Sequence, residues 1–324
     1  MPPPARSGRQ EVFRDQNEEW LIEPPVPNTR IQRSSAMDIS ARALLVNTTV
    51  RVWTGEKRDR AITREICMMK GAEDNAVRAN KSLLGEHIHG VQAAERAVRH
   101  AVNERTLPWM DDGTRILKGA VFMAFTEAMA EPIRQFDEAV EAFIAAYPEI
   151  KHEARRRLGD AYADSDFPAE SRLKQRFGVK LTYLPVPSTE DFRVNLSEDE
   201  IAAVRRNAED ALRGTVNDAL LSLLDRLQEP VARMATRLRL FRRTSGGKVQ
   251  HPFRDSLVEN VRAIVRLAPA LNLMDDPRIA ALCADIERNL TVHDPERLRN
   301  SDALRESVAN EADAILKRMQ GAFA

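Results

Sequence analysis

This chain has little of most things that announce a chemistry. Its two cysteines, Cys67 and Cys283, lie far apart and outside any C-x-x-C spacing, which excludes a disulfide framework and points to a reducing compartment. Only 13 glycines and 5% aromatic residues disfavour sandwiches, barrels and Gly-rich nucleotide folds. Lys plus Arg and Asp plus Glu number 49 each, so no global field draws the chain toward nucleic acid or anionic lipid. No apolar run approaches the roughly 18 residues of a membrane span, and no signal-peptide core opens the chain. The expectation is a soluble, cytoplasmic protein with no membrane contact.

Catalytic signatures are equally scarce. Neither G-x-S-x-G, G-x-G-x-x-G nor H-E-x-x-H occurs. Ser245-Gly246-Gly247-Lys248 fails as a phosphate loop: the first glycine is missing, Val249 stands where a hydroxyl is needed, and a helix precedes it instead of a strand. A helix C-cap and a flexible turn are expected there. His87 and His89 are two apart, so on a helix they diverge by about 200° and cannot share a metal ion. Asp111-Asp112 reads as capping for a helix starting near Thr114. No cofactor and no metal are expected.

What the sequence does have is charge, at 30% of residues, laid out in helical period. From Ser197 to about Arg243 one amphipathic segment could run unbroken. Ser197 and Glu200 have the spacing of a capping box, with Leu196 and Ile201 placed as a hydrophobic staple. Ile201, Val204, Ala208, Leu212, Val216, Leu220, Leu223, Leu227, Val231, Met234, Leu238 and Phe241 then form one stripe. Such a rod spans about 70 Å at 1.5 Å per residue, so it must pack on other long helices or reach a partner.

Around it, residues 1–38 read as a Pro-rich flexible arm, 39–245 as a helical core with a small β element, and 246–324 as a C-terminal helical region packed on that core. Leu45–Trp53 alternates β-branched and polar residues and reads as a strand. Residues 178–196, with a short strand at Phe192-Arg193-Val194, are expected to pair with it in a two- or three-stranded sheet. Helices are expected over 59–69, 74–105, from 114 onward with a kink at Pro132 and an end or bend at Pro148, over 255–267, 279–290, and from 294 to near 319. The fold class is therefore mainly α, an elongated bundle of long amphipathic helices with a small β element.

One charge anomaly stands out. Arg233, Arg237, Arg239, Arg242, Arg243, Lys248 and Arg254 fall between Pro230 and Arg254 without a single Asp or Glu. This local positive end can face an acidic protein partner, face phosphates, or simply complement a helix C-terminus.

Several islands also resemble a known family in their order along the chain. They are Val52-Trp53-Thr54-Gly55 leading into Lys57-Arg58, Lys81-Ser82-Leu83-Leu84, Leu107-Pro108-Trp109 with Asp112-Gly113, and Pro185-Val186-Pro187 with Asp191-Phe192-Arg193-Val194. Together they resemble an uncharacterised family of mostly helical proteins of bacteriophages and prophages, over roughly residues 44–245. Genes of that family often lie near a MoxR- or CobS-like AAA+ ATPase and a von Willebrand A-type protein. The resemblance implies a phage origin, the host cytoplasm, and a role beside such a machine; it implies no catalytic residue. The expected function is a non-enzymatic helical interaction or scaffold protein, self-associating and working with a protein partner such as that ATPase. The alternative is a nucleic-acid-binding protein using residues 233–254.

Overall fold

A strand that is apolar on both sides has to be covered on both sides, and β1 (Ala43–Arg51) is such a strand. The computed structural model describes residues 35–74, 76–187, 198–243 and 248–323. In it β1 lies between β5 (Arg115–Lys118) and β6 (Gly178–Pro185), with β4 (Leu107–Pro108) beyond β5, giving a four-stranded sheet of order β4-β5-β1-β6. Every pairing in it is antiparallel, with Leu44 opposite Leu117 on one side and Pro185 on the other. Successive strand residues point to opposite faces. Ile116 is 0% exposed on one face and Leu117 1% on the other, so the sheet is a wall between two cores.

Behind one face stand α3 (His89–Arg105) and α4 (Phe122–Leu158). Val91, Val98 and Val102 of α3 meet Phe125, Met129, Phe136, Val140, Phe143 and Tyr147 of α4, together with Val46 and Leu117 of the sheet. Behind the other face lie α1 (Ser35–Arg42), α6 (Glu198–Leu240), α7 (Ser256–Leu271), α8 (Pro277–Ile286), α9 (Pro295–Asn300) and α10 (Asp302–Phe323). Ile39, Leu45 and Ile116 pack there on Leu223, Leu227, Val231, Val258, Val261, Ile286, Ala312 and Ile315. Two small ladders complete the secondary structure, β2 (Glu56–Arg58) with β3 (Asn80–Ser82) and β7 (Arg242–Arg243) with β8 (Val249–Gln250). α2 (Arg60–Lys70) and the one-turn α5 (Glu170–Leu173) are the remaining α-helices among the described residues. Helix at 71% and strand at 12% agree with the mainly helical composition.

Several sequence expectations are corrected. The sheet has four strands, because Arg115–Lys118 is a strand and not the start of a helix. Consecutive Ile116 and Leu117 each fill a different core, which a one-sided helical face would not allow. The helix expected from 74 begins only at His89; Asn80–Ser82 pairs with β2, and a 3₁₀ turn at Gly85–Ile88 leads into α3. Pro148 does not end α4, which continues through Pro132 and Pro148 to Leu158. Each proline removes one backbone bond and costs about 3 kcal/mol in a free helix. Buried residues before, between and after the prolines, from Phe125 to Ala154, hold the segment helical in spite of them. α7 likewise passes through Pro269, and the turn falls at Asn272–Asp276, where the Asn272 amide bonds Asp276 N and O, both at 2.9 Å.

The 43-residue α6 matches the expected rod, although Ser197 and the strand at 192–194 lie outside the described residues, as does the 1–34 part of the arm. Its stripe is not used evenly. Leu223, Leu227, Val231, Met234, Leu238 and Phe241 are buried, while Leu212, Val216 and Leu220 are only partly covered by the same core. Ile201, Val204 and Ala208 are half-buried and belong to neither core. Leu223→Ala is therefore expected to destabilise the chain by about 3 kcal/mol in urea denaturation, as for a filled site in a closed core. Val204→Ala should change it by less than about 1 kcal/mol; equal losses would place Val204 in the core as well.

Candidate functional site

The seven basic residues marked by the sequence do not form one surface. Arg233 is paired with Glu229 one turn back on α6. Arg239 reaches α10, where Asp313 lies at 2.6 Å, Asn310 Oδ1 at 3.1 Å and Ala309 O at 3.3 Å. That hydrogen bond raises the Arg239 pKa and lowers that of Asp313. Arg242 donates to the carbonyls of Arg239 and Phe241, satisfying the open end of α6, and Arg243 donates to Asn300 Oδ1 at 3.4 Å. Lys248 sits exposed just before β8. Only Arg237 and Arg254 are exposed without a hydrogen bond or ion pair among the described residues. The segment lacks acids in sequence, but folding brings Asp313 to it from 74 positions past Arg239. Nearby, Arg305 lies over the Phe241 ring at 4.4 Å and donates to Leu298 O at 2.8 Å, which locks the end of α6 to the α9–α10 junction.

A second cluster joins two of the sequence islands. Gly55 at φ 69° approaches Leu84 so closely that an added Cβ would lie 2.4 Å from Leu84 Cγ, and Leu83 N donates to Gly55 O at 2.9 Å. Beside this contact Lys81 Nζ lies 2.6 Å from Asp166 Oδ2 and 2.9 Å from Asp59 Oδ2, and donates to Ala161 O at 3.0 Å. The Asp166 Oδ2 contact is an ion pair whose angle is poor for a hydrogen bond. Lys57 Nζ reaches Asp166 Oδ1 at 2.5 Å. Asp59 also caps α2 through Ala61 N and Ile62 N at 2.9 and 3.0 Å. Two lysines and two aspartates balance, and the side chains of Lys81, Asp59 and Asp166 are 9%, 13% and 6% exposed. Asp166 raises the Lys81 pKa, so this lysine stays charged and is neither a nucleophile nor a base near neutral pH. The cluster works as a clamp between the β2–β3 ladder, α2 and the 161–166 turn.

His87 is held by Glu153 of α4 at 2.8 Å. Asp112 caps no helix; its Oδ1 accepts from Thr114 N at 2.8 Å inside the β4–β5 turn, where Gly113 has φ 87°. That backbone bond lowers the Asp112 pKa.

Sequence reasoning passed over Arg115 and Arg226. Arg115 Nη2 and Arg226 Nη1 donate to the same carbonyl, Asn103 O, at 3.3 and 2.9 Å, and neither takes a carboxylate partner by hydrogen bond. The signal was present in Thr114-Arg115-Ile116-Leu117 and Leu223-Leu224-Asp225-Arg226-Leu227, where each arginine is set beside buried apolar neighbours. Neither a protein-family model, nor a curated protein, nor a solved structure matches the chain. No helix among the described residues is long and apolar enough to cross a membrane.

The clamp has a pH signature. Asp59 is lowered by its Ile62 N–H bond and then by Lys81, and Asp166 by Lys57 and then Lys81. Their stabilisation is complete above the unfolded carboxylate value near 3.9 and is lost as pH falls through the lowered folded values. Lys81, being raised, contributes fully below about 10.4 and loses its contribution as pH rises past its folded value. Lys81→Met should cost about 2 kcal/mol at neutral pH by removing the cation that Asp59 and Asp166 share. The gap to wild type in thermal melts should stay flat from about pH 5 to 9 and narrow below about pH 4. A pH-independent gap would mean that the lysine acts through its methylene stem alone.

Proposed function

We propose that this chain is a non-enzymatic helical interaction protein that self-associates through the first turns of α6. One observation carries the reading: a single apolar stripe is buried from Leu223 onward, yet among the described residues Ile201, Val204 and Ala208 pack on neither core and stay only half-buried. A helix with an apolar stripe left half in water gains from covering it. Charge order favours a second, antiparallel copy as the cover. Asp199 and Glu200 come first along the helix and Arg205 and Arg206 follow, ahead of Glu209 and the Asp210–Arg213 pair, so an antiparallel neighbour overlapping at 199–206 sets unlike charges across the seam. The zero net charge offers little opposition. An elongated assembly of helices is the architecture this reading implies. The resemblance to the phage family adds a phage origin and an AAA+ ATPase as a further partner, whose acidic surface Arg237 and Arg254 would meet.

Light scattering at micromolar concentration is expected to return a mass above the 36.5 kDa of one chain. Ile201→Asp combined with Val204→Asp should return the single-chain mass and leave the melting temperature of the dissociated chain within a few degrees of wild type at equal concentration. A wild type that stays at 36.5 kDa up to millimolar concentration would overturn the proposal.

Nucleic acid is the second reading, resting on the basic 233–254 segment, in which Arg242 and Arg243 stand on the β7–β8 ladder and Arg237 and Arg254 are exposed. Because Arg237 and Arg254 hold no internal partner, replacing both with Ala leaves the fold intact. If they contact duplex phosphates, the slope of log K against log salt should fall by about 0.9 for each. The outcome expected here is no measurable duplex binding at roughly physiological salt, and submicromolar, salt-sensitive binding that the double variant weakens would reverse the order of the two readings.

A further inference from the structure

Where α3, α6 and α7 meet, a cleft of about 430 Å³ opens beside the Arg115–Arg226 pair. Arg226 and Arg233 of α6 stand at its polar side, and Pro230, Leu257, Ile264 and Leu267 form the apolar remainder. Its chemistry follows from how the arginines are used. Arg115 is largely committed: Nε donates to Thr106 Oγ1 at 2.6 Å, and Nη2 to Thr106 O at 2.8 Å and to Asn103 O at 3.3 Å. It caps the last carbonyls of α3, where a cation also suits the helix dipole. Arg226 spends one donor on Asn103 O, and among the described residues its other N–H groups have no acceptor. Capping therefore explains Arg115 and leaves Arg226 with one of its five N–H donors used.

The local charge is not balanced. Arg105, Arg115, Arg226 and Arg233 face only Glu104 and Glu229. Glu104 is shared between Arg105 and His100 at 3.2 Å each, and Glu229 is taken by Arg233. Burial, with the Arg226 charge as a second cause, pushes Arg115 down to about 10, and burial lowers Arg226 against the pull of Glu104. A guanidinium fork with a free edge matches a carboxylate. The two glutamates on the rim oppose a dianion such as a phosphate monoester. An apolar cleft with a few placed polar groups is the usual form of a small-molecule site, and this volume lies near its lower end.

We propose that this cleft binds a small free carboxylate with an apolar body. The carboxylate docks on the open edge of Arg226, and the body lies along Pro230, Leu257, Ile264 and Leu267. The proposal is independent of self-association, because the cleft lies outside the 201–208 stripe.

The test is calorimetric titration of the full chain with octanoate, its neutral analogue octanamide, and trileucine with a free C-terminus. Octanoate is expected to bind one to one with a dissociation constant of about 1 mM or tighter, and octanamide at least about tenfold more weakly. Arg226→Gln removes the guanidinium fork; it should weaken octanoate about tenfold and leave octanamide unchanged. Should that variant fail to fold, the octanoate–octanamide ratio on the wild type decides alone. Equal binding of the two, absence of octanoate binding at several times that concentration, or a folded Arg226→Gln with unaltered octanoate affinity would overturn the proposal. Trileucine binding about tenfold tighter than octanoate would overturn it too, by assigning the cleft to a peptide terminus.

Discussion

The rest of the structure depends on a wall: β1 over Ala43–Val46 and β5 at Ile116–Leu117 are covered on both faces, so helices must stand on both sides of them. Ile116 and Leu117 express the constraint in two adjacent residues, one in each core. Exposing either face would leave apolar strand surface in water, at roughly 25 cal/mol for each Å². The pairing also orders the chain, because β6 returns next to β1 from more than a hundred residues away. The α3–α4 layer is therefore finished before α6 begins to build the second layer.

Many charges in this neutral protein join segments that are distant in sequence. Lys81 draws the β2–β3 ladder, the α2 cap and the 161–166 turn to one point, where Asp166 and Asp59 flank it. Arg239 ties α6 to α10 through Asp313, and Lys118 and Arg42 both hold Asp275 at the α7–α8 turn, where φ is 52°. Exposed pairs contribute little each, whereas the shielded ones fix geometry because a lone charge there is costly. Among the groups left uncommitted are Arg237 and Arg254 on the surface, the free edge of Arg226 in its cleft, and an apolar stripe at the start of α6. Each is a place where the fold leaves an interaction open, and the proposals rest on them.

The sequence by itself determined the helical class, the extent of α6 and the pairing of the 45–53 strand with the segment after Gly178. These follow from local periodicity: a stripe at steps of three and four, and β-branched alternation over Val46 to Val52. It also placed α2 well, since Asp59 is a side-chain cap and Gly71 a left-handed stop at φ 61°. Only the tertiary structure decided the remainder. Arg115–Lys118 is too short for its period to be read, and it became a strand because β1 offered a partner and two cores offered cover. Pro132, Pro148 and Pro269 look like breaks in sequence, yet packing against α3, the sheet and the C-terminal helices outweighs the bonds they remove. The positive segment looked unopposed because its countercharge, Asp313, arrives from another helix, while the unbalanced arginines are Arg115 and Arg226, brought together across more than a hundred residues. Periodicity is a property of neighbours along the chain and is legible there; charge balance and burial are properties of neighbours in space, and only folding chooses those.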